Sequence, residues 1–434
     1  MSNEKLSTQP YKGTRDFYPD DMKLRNWFFG KIRKELELAA FDEYNGPMLE
    51  SLDIYIAKSG EEIANEQTYN FTDRGGRRLA IRPEMTPTVA RLVAGKINEL
   101  NMPLKWFSIP NLYRYERPQR GRLREHWQVN VDIFGCDGYE ADLEVISTAV
   151  SLLRTFNADE SMFRVHINNR RFFNDVISAI CLTDTDGSRK VSKVVDRRNK
   201  ITREVYVEQL TELGLDENKI LQIDALYTMN VKEATALCPE SIGSMELCSL
   251  FDALEKTGLL KYCVFDFGII RGLDYYTGTV FEVFDEAPEN NRAMFGGGRY
   301  DNLVGLFLKN TNVSGVGFGF GDVTLENFLK THNLVPDIYN SGVKVLITRF
   351  DDVPYEKYTQ IVDSLRKSGI VSSLYIGSKK FGKQLEYAIK EKYSHVIIMG
   401  ADELLRGMVK IKDLAGHNET EISIADSARE ENFN

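Results

Sequence analysis

Residues 314–321 read Ser-Gly-Val-Gly-Phe-Gly-Phe-Gly, with glycine at every second position. Because successive side chains of a β-strand point to opposite faces, this spacing predicts a strand with one face of bare backbone. The other face carries Val316, Phe318 and Phe320, which are typical of a core. A bare face weakens a strand, so we expect either a flat ligand or a tightly packed neighbouring element to lie against it.

The overall composition is typical of a globular protein with two or three domains. The chain has 434 residues, of which 42% are hydrophobic and 27% charged. Its formal net charge of -9 argues against coating nucleic acid through bulk charge, although a local basic surface is compatible with it. The sequence begins without the apolar stretch of a secretion signal, and no apolar run is long enough to cross a bilayer. We therefore expect no membrane association and a reducing, cytoplasmic location.

The sequence lacks several familiar signatures of metal and nucleotide sites. Its five cysteines and five histidines are scattered, and no two cysteines have a Cys-x-x-Cys spacing, which disfavours a zinc site and a disulfide framework. Neither a P-loop nor a Gly-x-Gly-x-x-Gly dinucleotide motif is present. We therefore expect any nucleotide to be bound by arginines and a sheet rather than by a helix N-terminus.

The order of predicted strands and helices divides the chain into three parts. Short strands joined by turns, such as 129–134, predict an antiparallel sheet in an α+β domain formed by residues 1–170 and 262–332. Residues 171–261 have the pattern of a helical insertion within that domain. Strands and helices then alternate over residues 342–434, which predicts a separate α/β domain with a small parallel sheet.

Arginines crowd residues 114–125, which read Arg-Tyr-Glu-Arg-Pro-Gln-Arg-Gly-Arg-Leu-Arg-Glu. Five guanidinium groups beside two carboxylates repel one another unless phosphates neutralise them, which favours a phosphate-binding loop. The alternative is a solvated, mobile hairpin, since most runs of charge are exposed. Predicted strands flank the loop, so a sheet fixes at least Arg114.

Two further segments place reactive groups beside rigid backbone. Residues 79–87 hold Glu84 and Thr86 on a turn that two prolines stiffen, and this pair suits an ammonium group. Thr86 also suits the N-cap of a helix whose first residue is Pro87, and both interpretations can hold together. Residues 271–284 put Arg271 and two tyrosines before an apolar strand, and an arginine bordering a core usually meets an anion.

Taken together, these segments resemble the histidyl-tRNA synthetases, a family of class II aminoacyl-tRNA synthetases. The resembling segments run nearly from end to end: 11–19 at the start, 41–50 as the first class II motif at the dimer interface, 112–119 as the second motif in its bacterial form, 271–276 and 297–301 as stretches of the histidine enzyme, and 400–403 with 409–413 in an anticodon-binding domain. The resemblance implies an enzyme that makes histidyl-adenylate from L-histidine and ATP and then transfers the histidyl group to the 3′ end of tRNA(His). It also implies a homodimer and Mg²⁺ beside the ATP, for which the sequence identifies no ligands.

The resemblance assigns roles around ATP by position. Arg114 would bind the α-phosphate, and Glu116 would face the amino group of adenine. Arg271 would neutralise charge that grows on the α-phosphate as the histidine carboxylate attacks it. The glycine-faced strand, with Gly317 and Gly319, would lie beneath the adenine.

The histidine pocket and the tRNA contacts are implied in the same way. The residues implied around the amino acid are Glu84 and Thr86 at its ammonium group, Tyr275 and Tyr276 along its side chain, and Gln128 and Asp132 completing the pocket. Many relatives carry Glu at position 132, and the shorter carboxylate here implies a changed contact geometry. Loop position alone implies that Arg117, Gln119 and Arg120 contact the acceptor stem.

One motif departs from the family pattern. The third class II motif usually ends Gly-Leu-Glu-Arg, whereas residues 321–324 read Gly-Asp-Val-Thr. Thr324 therefore stands where an arginine binds the γ-phosphate, and Asp322 would repel a triphosphate unless Mg²⁺ lies between them. Our hypothesis is that another arginine, either Arg122 or Arg299, binds the γ-phosphate instead.

Two alternatives to a working synthetase remain. The family includes a non-catalytic, histidine-binding regulatory paralogue, and the altered third motif raises that alternative. The implied catalytic arginines, Arg114 and Arg271, argue against it, as does the C-terminal domain that this paralogue usually lacks. A ligase that serves an acceptor other than tRNA is the other alternative, against which the C-terminal domain and the arginine-rich loop both argue.

Overall fold

A computed structural model describes residues 6–59, 61–181, 185–198, 201–270, 276–290, 292–308, 311–338 and 342–433. The chain divides into two compact units, residues 1–336 and 337–434, and each is described by itself. No helix among the described residues combines the length and the apolar character that spanning a bilayer requires.

A nine-stranded sheet forms the centre of the first unit. Its strands in spatial order are β1 (Asp42–Glu43), β5 (Leu104–Ser108), β7 (Glu125–Phe134), β12 (Gly315–Gly321), β11 (Ala293–Arg299), β10 (Thr279–Asp285), β8 (Phe163–Asn169) and β9 (Cys263–Phe265), with β6 (Asn111–Tyr113) paired to β7. Neighbouring strands are antiparallel except for the parallel pairs β1–β5 and β8–β9. The predicted α+β fold on an antiparallel sheet is therefore confirmed.

The glycine-rich strand lies in the middle of this sheet, as β12 between β7 and β11. Its large residues are buried as predicted, with Val316, Phe318 and Phe320 all less than 5% exposed. The ring of Phe320 stacks on that of Phe295 from β11, with centroids 3.9 Å apart. One face of β12 thus anchors the core, and its glycine face is left for the site described below.

Helices and a small second sheet surround the central sheet. The small sheet has the order β2 (Leu49–Ser51), β4 (Arg78–Ile81) and β3 (Tyr69–Thr72). The helices outside the 171–261 region are α1 (Pro19–Leu38), α2 (Leu52–Ser59), α3 (Glu61–Gln67), α4 (Thr86–Gly95), α5 (Tyr139–Arg154) and α12 (Asp322–Thr331). In α1, Phe28, Ile32 and Leu36 recur at every fourth position and are buried, so one stripe of this helix faces the core.

Among the described residues between β8 and β9, where the sequence predicts the helical insertion, the chain forms six α-helices. They are α6 (Arg170–Cys181), α7 (Thr185–Asp196), α8 (Arg203–Glu212), α9 (Glu217–Leu226), α10 (Val231–Thr235) and α11 (Ile242–Lys256). Side-chain caps begin several of them, since Thr202, Asp216, Asn230 and Ser241 each accept from backbone N–H groups of the first turn. Short 3-10 helices follow at Leu260–Tyr262, Pro288–Asn290 and Val304–Leu306.

The second unit is a five-stranded sheet with helices. Its strands in spatial order are β14 (Val371–Leu374), β13 (Lys344–Ile347), β15 (His395–Ile398), β16 (Met408–Asp413) and β17 (Glu419–Ser423), and its helices are α13 (Tyr355–Lys367), α14 (Phe381–Lys390) and α15 (Ala401–Leu405), with 3-10 turns at Ile424–Asp426 and Glu430–Phe433. The first three strands are parallel, but β16 and β17 pair antiparallel. The three strands predicted for this domain are parallel as expected, and the prediction left out the antiparallel strands β16 and β17.

Candidate active site

A cavity of about 380 Å³ opens on the central sheet. Its wall is built from β7, β10, β11 and β12, from the loop between β6 and β7, and from residues at the start of α4 and α12. Strand residues line its base, so a rigid sheet fixes the positions of several polar side chains. The wall carries both carboxylates and guanidinium groups, which suits a substrate with charges of both signs.

The cavity brings together most of the residues that the sequence singles out. The predicted site residues in its wall are Glu84, Thr86, Arg114, Glu116, Arg122, Gln128, Asp132, Tyr276, Gly317 and Gly319. Arg117, Gln119, Arg120 and Arg299 are not among the described residues of the wall. Arg271 and Tyr275 lie outside the described residues.

Arg114 follows β6 directly and is fixed at both backbone and side chain. Its backbone N–H donates to the carbonyl of Arg124 at 2.8 Å, and its Nε donates to the carbonyl of Pro83 at 2.9 Å. The guanidinium group has five N–H donors, and the bond to Pro83 uses one of them. A fixed cation at the cavity wall is therefore available to bind an anion.

The loop after Arg114 folds back so that its tip approaches the altered third motif. Gly121 has a φ of +77°, and a Cβ added to it would lie 3.6 Å from Cγ2 of Thr324. The next residue, Arg122, belongs to the cavity wall, and its Nη1 lies 3.7 Å from Oε2 of Glu116. Its side chain is 60% exposed, so the cation is accessible to a ligand. The structure thus places an exposed arginine in the same cavity wall as the uncharged Thr324.

Arg299 has a different place from the one expected for a phosphate ligand. Its side chain is 2% exposed, and its Nε donates to Asp142 at 3.0 Å. Its terminal nitrogens donate to the carbonyls of Cys136 and Gly138, at 2.9 and 2.8 Å. These bonds make Arg299 a buried structural cation that joins β11 to the start of α5.

Asp322 is not among the described residues of the cavity wall. Arg15 donates to its carboxylate at 2.6 Å, and the backbone N–H of Trp127 donates to the other oxygen at 3.0 Å. The expectation that Asp322 repels a triphosphate is therefore wrong, because this carboxylate is buried and paired. Thr324 is also committed to structure, since its hydroxyl donates to the carbonyl of Met294 at 2.8 Å.

Polar side chains of β7 cover the glycine face of β12. Gln128 and Asp132 lie so close to Gly319 and Gly317 that an added Cβ would collide with them. The Gln128 side chain is oriented in turn, because its Nε2 donates to Oδ1 of Asn130 at 2.6 Å. The bare face predicted from the sequence therefore gives room for polar groups at the base of the cavity.

Asp132 is a buried carboxylate, and burial disfavours its ionised form. Its side chain accepts a hydrogen bond from the hydroxyl of Tyr300 and is 4% exposed. Burial raises the pKa of Asp132 to about 7, against the opposing effects of the Tyr300 bond and of the Lys58 charge. Asp132 therefore titrates near neutral pH.

Glu84 and Thr86 stand together at another part of the wall. The ammonium group of Lys58 donates to Glu84, and burial lowers the pKa of Lys58 while Glu84 opposes that shift. Thr86 is the first residue of α4 and Met85 is the N-cap, so the prediction that Thr86 caps the helix was wrong by one position. Thr86 still faces the cavity beside Glu84.

Sequence reasoning missed several residues of the wall. His126 belongs to it, and burial, with Arg114 adding to the effect, lowers the pKa of His126 to about 3, so its ring is neutral. Glu282 on β10 and Tyr300 also belong to the wall. The signal for Glu282 was present, because it is the single charged residue within the apolar stretch 279–284.

Comparison with known families adds an independent finding. Residues 13–322 match the family model described as histidyl-tRNA synthetase, and residues 344–430 match one described as an anticodon binding domain. The chain belongs to the histidyl-tRNA synthetase family. The resemblance stated from the motifs is therefore confirmed.

Individual relatives agree with this family assignment. The chain is 44% identical over 431 residues to the histidine–tRNA ligase of Leptospira biflexa, covering 98% of both chains. It is similar in fold to the histidyl-tRNA synthetase of Nostoc sp. PCC 7120, with a TM-score of 0.79, 22% identity and 98% of both chains covered. A Bacillus halodurans structure described as an ATP phosphoribosyltransferase regulatory subunit/histidyl-tRNA synthetase has the same fold, with a TM-score of 0.75 and 22% identity over 92% of this chain and 100% of that one.

Proposed function

We propose that the chain is a histidine–tRNA ligase, which activates L-histidine with ATP and transfers the histidyl group to the 3′ end of tRNA(His). The observation that carries this proposal is one cavity whose wall holds a fixed Arg114 together with the carboxylates Glu84 and Asp132. Such a cavity suits a zwitterionic amino acid beside a nucleotide phosphate. Membership of the synthetase family and 44% identity to a histidine–tRNA ligase support it.

The first step joins histidine to AMP. A carboxylate oxygen of histidine forms a bond to the α-phosphorus of ATP, the bond from that phosphorus to the bridging oxygen breaks, and pyrophosphate leaves with the electron pair. Arg114, held by the Pro83 carbonyl, stabilises the charge that develops on the α-phosphate. Arg271 is proposed to act on the same charge. Positioning and charge stabilisation supply the catalysis, and no nucleophilic side chain is required.

The second step uses the adenylate as a leaving group. A hydroxyl of the terminal ribose of tRNA attacks the histidyl carbonyl carbon and gives its proton to a phosphate oxygen of the adenylate. The bond between that carbon and the bridging phosphate oxygen breaks, and AMP leaves with the electron pair. Arg114 remains beside the phosphate and stabilises the departing AMP. The tRNA is expected to reach the cavity past the exposed loop that carries Arg117, Gln119 and Arg120.

The amino acid is proposed to bind between the two carboxylates. Glu84 and Thr86 accept hydrogen bonds from its ammonium group, while Gln128 and Asp132 contact the imidazole ring. Tyr276 forms one side of the pocket, and Tyr275 is assigned to it by family position. The ionised Asp132 carboxylate accepts an N–H of the ring, which selects histidine over amino acids without such a donor.

The nucleotide is proposed to lie on the other side of Arg114. Glu116 faces the adenine amino group, and the flat, neutral ring of His126 offers the base a surface. Arg122 takes the γ-phosphate, because it lies in the same cavity wall as Thr324 and its pairing with Glu116 is long, at 3.7 Å. Arg299 is not assigned to ATP, since its donors are already used by Asp142 and by backbone carbonyls.

Mg²⁺ fits this cavity only as a companion of the ATP phosphates. No group of three or more His, Cys, Asp or Glu side chains suited to a metal occurs among the described residues. Mg²⁺ commonly takes one or two carboxylates and completes its shell with phosphates and water. Glu282, in the wall beside β11, is the carboxylate we assign to it, and the bound ion would neutralise phosphate charge.

The partners follow from the same assignment. Residues 344–430 are proposed to bind the anticodon of tRNA(His), in line with the domain model they match. A homodimer is proposed through the small sheet, whose edge strands β2 and β3 expose Leu49 and Phe71 near the exposed Met48. All five cysteines are free thiols, as expected for a cytoplasmic protein.

Histidine-dependent exchange of pyrophosphate into ATP tests the proposal directly. A synthetase supports this exchange and charges tRNA(His), whereas the regulatory paralogue would bind histidine without exchange. Removing residues 342–434 tests the other alternative, a ligase that serves an acceptor other than tRNA. If this domain binds tRNA, pyrophosphate exchange should persist while tRNA charging is lost. A purified protein that binds histidine yet never forms the adenylate with saturating ATP and Mg²⁺ would contradict the proposal.

A further inference from the structure

A fully buried lysine lies behind the proposed ammonium site. The side chain of Lys58, from α2, is 0% exposed, while that of its partner Glu84 is 20% exposed and belongs to the cavity wall. The Lys58 ammonium donates to Oε2 of Glu84. Lysine is almost never fully buried unless it is paired, so this pair is a built feature of the fold rather than a surface contact.

We propose that Lys58 is a positioning residue that holds Glu84 towards the substrate ammonium group and away from Arg114. The inference rests on the proposed role of Glu84 in binding that ammonium group. A carboxylate has two oxygens, and Lys58 occupies Oε2 from the buried side. The substrate is then bound through the other oxygen from the cavity side.

Arg114 is the reason why Glu84 needs to be held. Its Nε donates to the carbonyl of Pro83, the residue before Glu84, so its guanidinium group and the Glu84 carboxylate share one region of the wall. Arginine and carboxylate readily form bidentate pairs. A Glu84 released from Lys58 would be drawn to Arg114 and would occupy donors that the α-phosphate requires.

The charges at this end of the cavity support the same role. Lys58 interacts favourably with both Glu84 and Asp132, and unfavourably with Arg114. The site without ligand thus holds two carboxylates around one buried ammonium group. Holding Glu84 in place beforehand also reduces the side-chain freedom that binding would otherwise cost.

Binding of three ligands to the full-length Lys58→Met protein tests the inference. L-histidine and histidinol carry the ammonium group, whereas 3-(imidazol-4-yl)propanoate lacks it. We expect calorimetric Kd values for the first two to rise tenfold or more, and the Kd for the third to stay within twofold. Lys58→Gln, which keeps an N–H donor, should give an intermediate change and serves if the Met variant does not fold.

Two controls separate a local role from general damage. Lys105→Met removes another lysine–carboxylate pair, with Glu144 at 2.5 Å, that is part-exposed and does not belong to the described cavity wall, and it should leave all three Kd values unchanged. In a Glu84→Gln background, Lys58→Met should add no further ammonium-specific loss, because its effect passes through Glu84.

The outcomes that overturn the inference are distinct from those that overturn the site assignment. Equal weakening of all three ligands, or no change in any, would show that Lys58 does not position Glu84. A further ammonium-specific loss in the double variant would show that Lys58 acts by another route. If Glu84→Gln alone has no ammonium-specific effect, the assignment of Glu84 fails and the Lys58 inference falls with it.

Discussion

Arg15 donates from Nη2 to Oδ2 of Asp322 across 2.6 Å and joins the segment before α1 to the first residue of α12. Asp322 is 1% exposed and also accepts the backbone N–H of Trp127. The Arg25 guanidinium group covers the Trp127 ring at 3.5 Å. The altered third motif therefore carries a structural carboxylate where a charge facing the nucleotide was expected.

Removing the cation of this pair should destabilise the first unit. We expect Arg15→Met to lower the free energy of unfolding by about 1–3 kcal/mol, because it leaves the buried Asp322 without its counter-charge. The loss should stay below that of a fully buried pair, since the Arg15 side chain is 22% exposed. Urea unfolding followed by tryptophan fluorescence measures it, because all three tryptophans lie in this unit.

A surface pair provides the control for that measurement. Arg77 pairs with Asp73 at 2.7 Å, but the Arg77 side chain is 78% exposed. Arg77→Met should leave the unfolding curve unchanged, because exposed ion pairs contribute little. Equal effects of the two substitutions would show that Asp322 does not depend on Arg15.

Loss of Arg122 should weaken ATP binding selectively. We expect Arg122→Ala to raise the KM for ATP about tenfold to a hundredfold, the range for one charge-assisted hydrogen bond, and to leave the KM for histidine nearly unchanged. Pyrophosphate exchange measured at varied ATP, and separately at varied histidine, gives the two constants. Placing the family arginine at its usual position, with Thr324→Arg in the Arg122→Ala protein, should recover part of the affinity.

Two other arginines distinguish this role from a general charge effect. Arg117 lies in the same loop but is not part of the described wall, so Arg117→Ala should raise the KM for tRNA and not that for ATP. Arg299→Met should instead cost about 3–5 kcal/mol of stability, because Asp142 would remain buried without its partner. An unchanged KM for ATP in Arg122→Ala would reject Arg122 as the γ-phosphate ligand.

Alanine at Gly317, on the glycine face of β12, should affect stability very differently from alanine at the exposed Gly30 of α1. A Cβ on Gly317 would collide with the backbone carbonyl of Val131 and with Asp132, which cannot move without disturbing the sheet. Gly317→Ala should therefore unfold the first unit or lower its melting temperature by several degrees, with loss of histidine binding. Gly30, on α1, has nothing within 4 Å of an added Cβ, and Gly30→Ala should stabilise by about 1 kcal/mol. A tolerated Gly317→Ala would contradict the close packing of β7 on β12.

The elements that the sequence predicted well are those whose signal is local. The alternating glycines predicted β12, because their pattern repeats within about ten residues. Phosphate binding by the arginine-rich loop stays a prediction. The hairpin of β16 and β17 had a comparable signal, since Val409 and Ile411 alternate with lysines and are buried. The hairpin was missed because the alternating strands and helices before it were sufficient to predict a complete α/β domain.

The charge pairs could not be predicted, because no local pattern encodes them. Arg15 and Asp322 are 307 positions apart, and Lys58 and Glu84 are 26 apart. A sequence shows that these residues are charged, but only the folded sheet shows which partner each one meets. For the same reason Arg299 was expected near a phosphate, although its partner is Asp142 from α5.

Asp132 should make the stability of the free protein fall as pH rises, whereas histidine affinity should increase over the same range. Its folded pKa of about 7 is raised by burial, above the ordinary value of 3.8. The contribution of protonated Asp132 to the free energy of unfolding is therefore complete below about pH 4. It is lost as pH rises to about 7, at about 1.4 kcal/mol per pH unit. Binding of the imidazole N–H requires the ionised carboxylate, so histidine affinity should rise over the same range.

Asp132→Asn isolates both effects, because the amide does not titrate. The difference in unfolding free energy between the native protein and this variant, measured in urea, should shift in favour of the variant from pH 5 to pH 7 and stay level above that. The ratio of their histidine Kd values should show the reverse trend: as pH rises, the native protein should bind histidine more tightly relative to the variant. Titration of free histidine, with a pKa near 6.5, cancels in that ratio. Parallel pH profiles for the two proteins would show that Asp132 is not the titrating group.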